Sequence, residues 1–297
     1  MLIERQRLLL TLLDALREPV GNTDFQKLLF LYTRECEASP SYEFVPYKFG
    51  AFSFTSYADK RKLTAEGLIE EDEQNWKLTE AGRQMARKHA VTPLVASRFC
   101  RERANLRGNA LIAEQYRKHP YYATRSEIVD KLKLPAEDRQ RIAAVQPKKA
   151  GAGLATIGYE GKSLESYLNQ LLQAGVTLLC DVRRNPLSRK YGFSKRTLSN
   201  ACEGVGIRYE HLPELGIDSE ERRELKTQAD YDALFAEYER KSLPRQTEAL
   251  AKIRAWVKQG ERVALTCFEL LPHQCHRHCV AEALAQGAGK DWAAVHL

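Results

Sequence analysis

The side chains best suited to chemistry cluster in residues 263–279. Cys267 and Glu269 follow an apolar run, Val263-Ala264-Leu265, that reads as a buried strand. A turn at Pro272 leads to Cys275, His276, Arg277, His278 and Cys279, which open an apolar helix. Strand ends that feed helix starts are where α/β sheets place their sites. The free N–H groups and positive dipole end of such a helix also suit phosphate.

Each residue has a chemical and a structural reading. Cys267 is a nucleophilic thiolate if an Arg or His lies beside it, or otherwise a small core hydrophobe. Glu269, at or just past the strand end, suits general acid/base work or attack at an anomeric carbon. It could equally anchor Arg183. His211 and His276 are candidate proton-transfer partners. Cys275 is followed by Arg277 after one residue, so it does not form the Cys-x5-Arg cradle of tyrosine phosphatases. Zinc has ligand types in quantity here, but there is no C-x2-C pair and His276-x-His278 is too short for a finger. The expectation is therefore no metal and no cofactor. No Gly-rich phosphate loop of Walker or Rossmann type is present.

These residues need a sheet to bring them together. Ala155–Tyr159, Val176–Val182, Ile207–Leu212 and Val263–Cys267 read as strands separated by helices, which predicts a mostly parallel, Rossmann-like three-layer α/β domain over 151–297. Parallel strands put their carboxyl ends on one edge. Gly158, Tyr159, Asp181, Arg183, Arg189, His211, Glu214, Cys267, Glu269, His276 and Arg277 then converge. Arg183, Arg189 and Arg277 would hold a phosphate, or form salt bridges with Asp181 or Glu214.

Four segments occur in order: T-I-G-Y (Thr156–Tyr159), C-D-V-R-R-N-P-L-S-R (Cys180–Arg189), G-I-R-Y-E-H-L-P-E-L-G (Gly206–Gly216) and L-T-C-F-E-L-L-P-H-Q-C-H-R (Leu265–Arg277). In these, Leu154–Leu297 resembles the domain of unknown function 488 family. That resemblance implies no settled activity. Members usually carry an aliphatic residue where this chain has His278 or Cys279.

Residues 1–90 read as a winged-helix (α+β) domain. Leu8–Leu16, the stretch from Phe25 to Tyr32 and Ser53–Glu66 are amphipathic, and Gly67–Arg83 reads as a hairpin followed by a helix that Thr79 caps. Pro40–Gly50 is expected to be loop. F-Q-K-L-L-F-L-Y (Phe25–Tyr32), F-G-A-F-S-F (Phe49–Phe54) and G-L-I followed by W-K-L-T-E-A-G resemble the winged-helix module of the Panacea antitoxin and related bacterial regulators. The recognition helix would present Ser53, Thr55, Tyr57, Lys60, Arg61 and Lys62 to phosphate and base edges. The hairpin's Glu70, Glu71, Asp72 and Glu73 would repel DNA, which leaves a protein partner open. Residues 91–150 read as a basic helical connector.

The net charge of +7 and pI of about 9.0 favour anionic partners, nucleic acid first and DNA above all. No apolar run approaches the ~20 residues of a membrane span, and no signal-peptide pattern opens the chain. A cytoplasmic protein with reduced thiols is expected. The first functional expectation is a DNA-processing enzyme of repair or genome defence, a hydrolase or lyase acting on a phosphodiester, nucleotide or glycosidic bond. The second is a homodimeric winged-helix transcriptional regulator whose α/β domain senses an anion or nucleotide. The third is a thiol-dependent enzyme.

Overall fold

The computed structural model describes residues 2–218, 220–221, 225–286 and 292–297. The chain divides into two compact units, Met1–Gln146 and Pro147–Leu297. Among the described residues no helix is long and apolar enough to cross a membrane.

The first unit opens with α1 (Glu4–Leu16), β1 (Val20–Gly21) and α2 (Asn22–Glu35). Helix α2 carries apolar residues almost all round, and Phe25 and Leu28 through Tyr32 are all buried. An all-round apolar helix has to sit at the centre of its unit. Two strands follow, β2 (Val45–Tyr47) and β3 (Gly50–Phe52), paired antiparallel. They replace the second half of the expected Pro40–Gly50 loop. Gly50 makes the turn possible: its φ of +97° disfavours any side chain, and an added Cβ would lie 2.4 Å from Gln115 Oε1.

Helix α3 (Phe54–Ala65) is capped by Ser53, whose Oγ accepts the Ser56 amide. The expected hairpin forms only in outline. Ile69 bridges Leu78 and the Glu70 amide donates to the Lys77 carbonyl. The returning strand β4 (Asn75–Trp76) pairs with β1 instead. Trp76 is fully buried against Phe25, 4.3 Å between ring centres, and that stacking draws β4 to α2 and β1. Thr79 caps α4 (Glu80–Lys88) as expected.

The stretch read as a connector is part of this unit. Helices α5 (Pro93–Glu102), α6 (Gly108–Lys118) and α7 (Ala136–Ala144) cross it. Phe99, Cys100, Leu111 and Tyr122 join the same core as Leu8, Phe25 and Leu29. Some of its basic residues are neutralised inside the unit. Arg103 and Lys118 both pair with Glu35 and Glu114. The first unit therefore runs through the expected connector to Gln146, and the second begins within a few residues of the expected 151. Apolar positions spaced between arginines bury one helix face while the charges stay outside.

The second unit contains β5 (Gly153–Gly158), α8 (Leu164–Gln173), β6 (Leu178–Asp181), α9 (Lys195–Gly204), β7 (Arg208–His211), α10 (Gln228–Glu237), α11 (Thr247–Lys258), β8 (Arg262–Cys267), α12 (Arg277–Ala285) and β9 (Val295–His296). The strands form one sheet, ordered β7-β6-β8-β5-β9, and every pair is parallel. Alternate residues of a strand face opposite sides. Leu154, Leu178, Cys180, Val263 and Leu265 pack with Phe235, Leu250, Ile253, Val280 and Leu284 of α10, α11 and α12. On the other side, the buried Tyr167 of α8 donates its hydroxyl to Thr266 Oγ1 at 2.7 Å. The four expected strands are present within two residues at each end. The fifth, β9, is only two residues long and carries no readable pattern.

Lys27 of α2 is buried, and its Nζ donates to the Ala51 carbonyl at 2.8 Å. Desolvation pushes its amine down to about 7, against the partial opposition of Asp24. Unfolded, the amine titrates near ~10.4. Between those values the unfolded chain holds a proton the folded chain lacks, so stability rises with pH across that window. Below about 7 both states are protonated and the effect is constant. Thermal melts from pH 7 to 10 should show this rise, and Lys27→Met should flatten it. An unchanged slope in the variant would remove the assignment.

Candidate active site

The carboxyl ends of β5, β6 and β8 lie side by side, and a cavity of about 310 Å³ opens over them. Tyr159, Arg183, Arg184, Asn185, Leu187, Ser188, Arg189, Ile217, Cys267, Phe268 and His276 line it. The chain reaches this edge through one close approach. Gly158 faces the Glu269 carbonyl so tightly that a Cβ would lie 1.8 Å from its oxygen. No larger residue fits between the β5 and β8 ends.

Arg183 forms the back of the cavity and is buried. Its Nε donates to Asp181 Oδ1 at 2.8 Å, and its Nη2 donates to Oδ2. Its Nη1 donates to the Tyr159 hydroxyl at 3.0 Å and to the Phe193 carbonyl at 2.9 Å. Burial works against the guanidinium charge, but the Asp181 contacts outweigh it and raise its pKa. Asp181 also accepts from the Tyr209 hydroxyl at 2.6 Å. Burial, then Asp181, pushes that phenol up and keeps it a donor. Tyr159 and Phe193 stack at 4.3 Å beside the guanidinium.

Cys267 and His276 form the floor. His276 Nε2 lies 2.9 Å from the Val182 carbonyl oxygen. A carbonyl only accepts, so Nε2 carries a proton and Nδ1 is the nitrogen turned toward Cys267. That nitrogen is 3.8 Å from Cys267 Sγ. Glu269 Oε2 accepts from the same thiol at 3.4 Å. Cys275, wholly buried, stands on the far side, with its thiol pushed well up by desolvation and then by Cys267. Cys267, Cys275 and His276 hold their ligand atoms within 4.8 Å of one another, as do Glu239, His278 and Cys279. Both groups have donor types that suit zinc.

The structure thus joins some of the expected residues and separates others. Cys267, Glu269 and His276 meet. Arg189 is exposed on the cavity rim, with no ion-pair partner among the described residues. Arg183 reaches the cavity but its charge is matched by Asp181. Arg277, expected to hold phosphate, donates from Nη1 and Nη2 to the Glu269 and Leu270 carbonyls and from Nε to Thr156 Oγ1. It is buried and braces the loop after β8. His211 does not line the cavity. Its Nε2 donates to the Arg183 carbonyl at 2.9 Å, and Lys195 lies 3.1 Å from its Nδ1. Arg184, Asn185 and Ser188 were missed as lining residues. The only sequence signal for them was their place in the loop after β6.

In the first unit, Ser53 and Lys60 are buried. Ser53 caps its helix, and Lys60 donates to the Asp72 and Asn75 carbonyls at 2.8 and 2.7 Å. Tyr57 stacks on Phe52 and meets Trp76 edge-on. These three serve the fold, because the 70–76 segment needs an internal donor to satisfy its carbonyls. Thr55 is half-buried, and Arg61 and Lys62 are exposed.

Removing the Asp181 charge tests the site's electrostatics. Asp181→Asn leaves Arg183 buried without a counter-charge, a loss of about 3–5 kcal/mol for a broken buried pair. Denaturant melts should show it. A change under ~1 kcal/mol would mean that water already reaches the guanidinium.

No curated protein and no solved structure matches the chain. Residues 163–284 match the family model of a domain of unknown function, DUF488, so this part of the second unit is similar to that family.

Proposed function

We propose that the second unit is a thiol-dependent enzyme acting on a small anionic substrate. One observation carries this reading: His276, held through Nε2 by the Val182 carbonyl, turns its Nδ1 toward Cys267 on the floor of a cavity rimmed by Arg189. A nucleophile, a base and a group that orients the base make up a working set for covalent catalysis. The 3.8 Å separation is loose, as is common before substrate binds.

In this reading His276 takes the Cys267 proton as sulfur attacks an electrophilic centre. The imidazolium then returns that proton to the leaving group. Glu269 supplies a second acceptor for the thiol proton. Arg189 holds the substrate's anionic group, carboxylate or phosphate. Tyr159 and Phe268 flank it with aromatic surface. The phosphate clamp of three arginines expected from sequence reduces here to Arg189, because Arg183 and Arg277 are engaged within the fold, and the neighbouring Arg184 is paired with Asp218 at 3.2 Å.

Native-state alkylation tests this without knowing the substrate. Among the buried thiols Cys267 should be modified first, ahead of Cys180, Cys202 and Cys275. Relative to free cysteine, anionic iodoacetate should be favoured over neutral iodoacetamide. Arg189→Ala should remove that preference, and His276→Gln should slow Cys267 roughly 100-fold, the low end of general-base contributions. A Cys267 that resists both reagents, or reacts equally in all variants, would end the proposal.

For the first unit we infer a winged-helix module that touches nucleic-acid phosphate. The order α1, β1, α2, then α3 after the inserted β2–β3 pair, then the Ile69–Leu78 bridge with β4 returning to β1, supports it. Arg61 and Lys62, exposed on α3, are the contact residues. Replacing both with Ala should weaken duplex DNA binding regardless of sequence and reduce the salt slope by about 2 × 0.9. Unchanged affinity and slope would favour a protein partner instead.

A further inference from the structure

The chemistry assigned to Cys267 leaves a second thiol beside it unused. Cys275 is fully buried, and its sulfur, the Cys267 sulfur and a ring nitrogen of His276 all lie within 4.8 Å of one another. We propose that Cys267 and Cys275 are a redox pair: a hydroperoxide oxidises Cys267, and Cys275 resolves the product as a disulfide. The inference rests on the reading of Cys267 as the reactive thiol of the cavity.

Three observations support it. The first is how the two sulfurs are brought together. Cys267 ends β8, in register with Gly158 of β5. The Cys275 amide donates to the Pro272 carbonyl at 3.0 Å. Between them, Arg277 holds the carbonyls of Glu269 and Leu270. The loop is thus fixed by contacts other than the sulfurs. Closing the remaining gap to the ~2.05 Å of a disulfide calls for rotation about the two Cα–Cβ bonds, not for unpairing β8.

The second is access. Cys267 lines the cavity and Cys275 does not. A small peroxide meets the first sulfur and not the second. Desolvation, then Cys267, pushes the Cys275 thiol well up, so it stays protonated and is spared direct oxidation, which needs a thiolate. A reachable sulfur poised next to a resolving one is the arrangement of redox-active cysteines.

The third is proton handling. His276 Nδ1 lies 3.8 Å from the Cys267 sulfur. His276 takes the Cys267 proton as the sulfur attacks the terminal peroxide oxygen. The S–O bond forms, the O–O bond breaks, and the proton passes to the departing oxygen to give an alcohol, or water from hydrogen peroxide. Cys267 is then a sulfenic acid. The Cys275 sulfur attacks it, the S–S bond forms, the S–O bond breaks, and hydroxide leaves with the Cys275 proton as water. Two electrons pass from the two thiols to the peroxide. The oxidised form caps the nucleophile, and a dithiol reductant restores it.

The test treats the full native chain with hydrogen peroxide in the presence of a chelator, blocks the remaining thiols and maps the peptides without reduction. Cys267 and Cys275 should be joined, the product two hydrogens lighter, and the other cysteines free. That form should resist iodoacetate at Cys267, and dithiothreitol should restore the alkylation rate. In Cys275→Ser, dimedone should label Cys267, and excess peroxide should add two oxygens there. Cys275→Ala gives the same readout if serine disturbs the core. A Cys267 that reaches the sulfinic acid as fast in the parent as in Cys275→Ser, or that pairs with another cysteine, overturns the proposal. If Cys267 alkylates as expected but forms no bond to Cys275, this inference alone fails. If Cys267 is inert to iodoacetate, iodoacetamide and peroxide alike, the thiol reading fails with it.

Discussion

Three consecutive residues at the end of β6 organise the second unit. Asp181 supplies the counter-charge that lets Arg183 be buried. The Val182 carbonyl fixes the tautomer of His276, and the Arg183 carbonyl holds His211. A buried guanidinium without a partner carries a desolvation penalty of several kcal/mol. Asp181, Tyr159, Phe193 and Tyr209 therefore have to stay in place together. The cavity wall and the orientation of the candidate base both follow from that requirement.

A second brace acts from the other side of the sheet. Arg277 donates to the carbonyls of Glu269 and Leu270, which would otherwise lie unpaired where the chain leaves β8. Gly158 lets that loop pass against β5. Together they hold the Cys267 thiol at the cavity floor. The two buried arginines are thus framework, and the exposed Arg189 is left for a ligand. All three are arginines close after a strand end in sequence; what separates them is which backbone carbonyls and carboxylates each guanidinium meets.

The first unit shows a similar division. Lys60 and Arg61 are neighbours in sequence and both read as phosphate contacts. One turns inward and satisfies the Asp72 and Asn75 carbonyls; the other faces solvent. Position around the helix decides, and the helix phase was hard to read because α3 carries polar side chains on its buried face, Ser56 and Asp59 among them. In the basic stretch after residue 90, Arg103 and Lys118 look available for nucleic acid in sequence but neutralise Glu35 and Glu114 in space.

The sequence by itself determined the parallel α/β sheet, because apolar runs alternating with amphipathic helices have few other ways to bury both faces. It placed the chemistry at the strand ends for the same reason, and it singled out Cys267, Glu269 and His276. It did not reveal β9, whose two residues are too few for a period, or the hairpin of β2 and β3. Nor did it show that the stretch after residue 90 belongs to the first unit, since the core contributions of Phe99 and Leu111 are masked by surrounding arginines. Tertiary structure alone decided which of two adjacent basic residues is free, which histidine faces the thiol and which arginine is charge-balanced. Those outcomes depend on hydrogen-bond partners far apart in the chain, such as Val182 with His276 and Thr156 with Arg277, and local pattern carries no record of them.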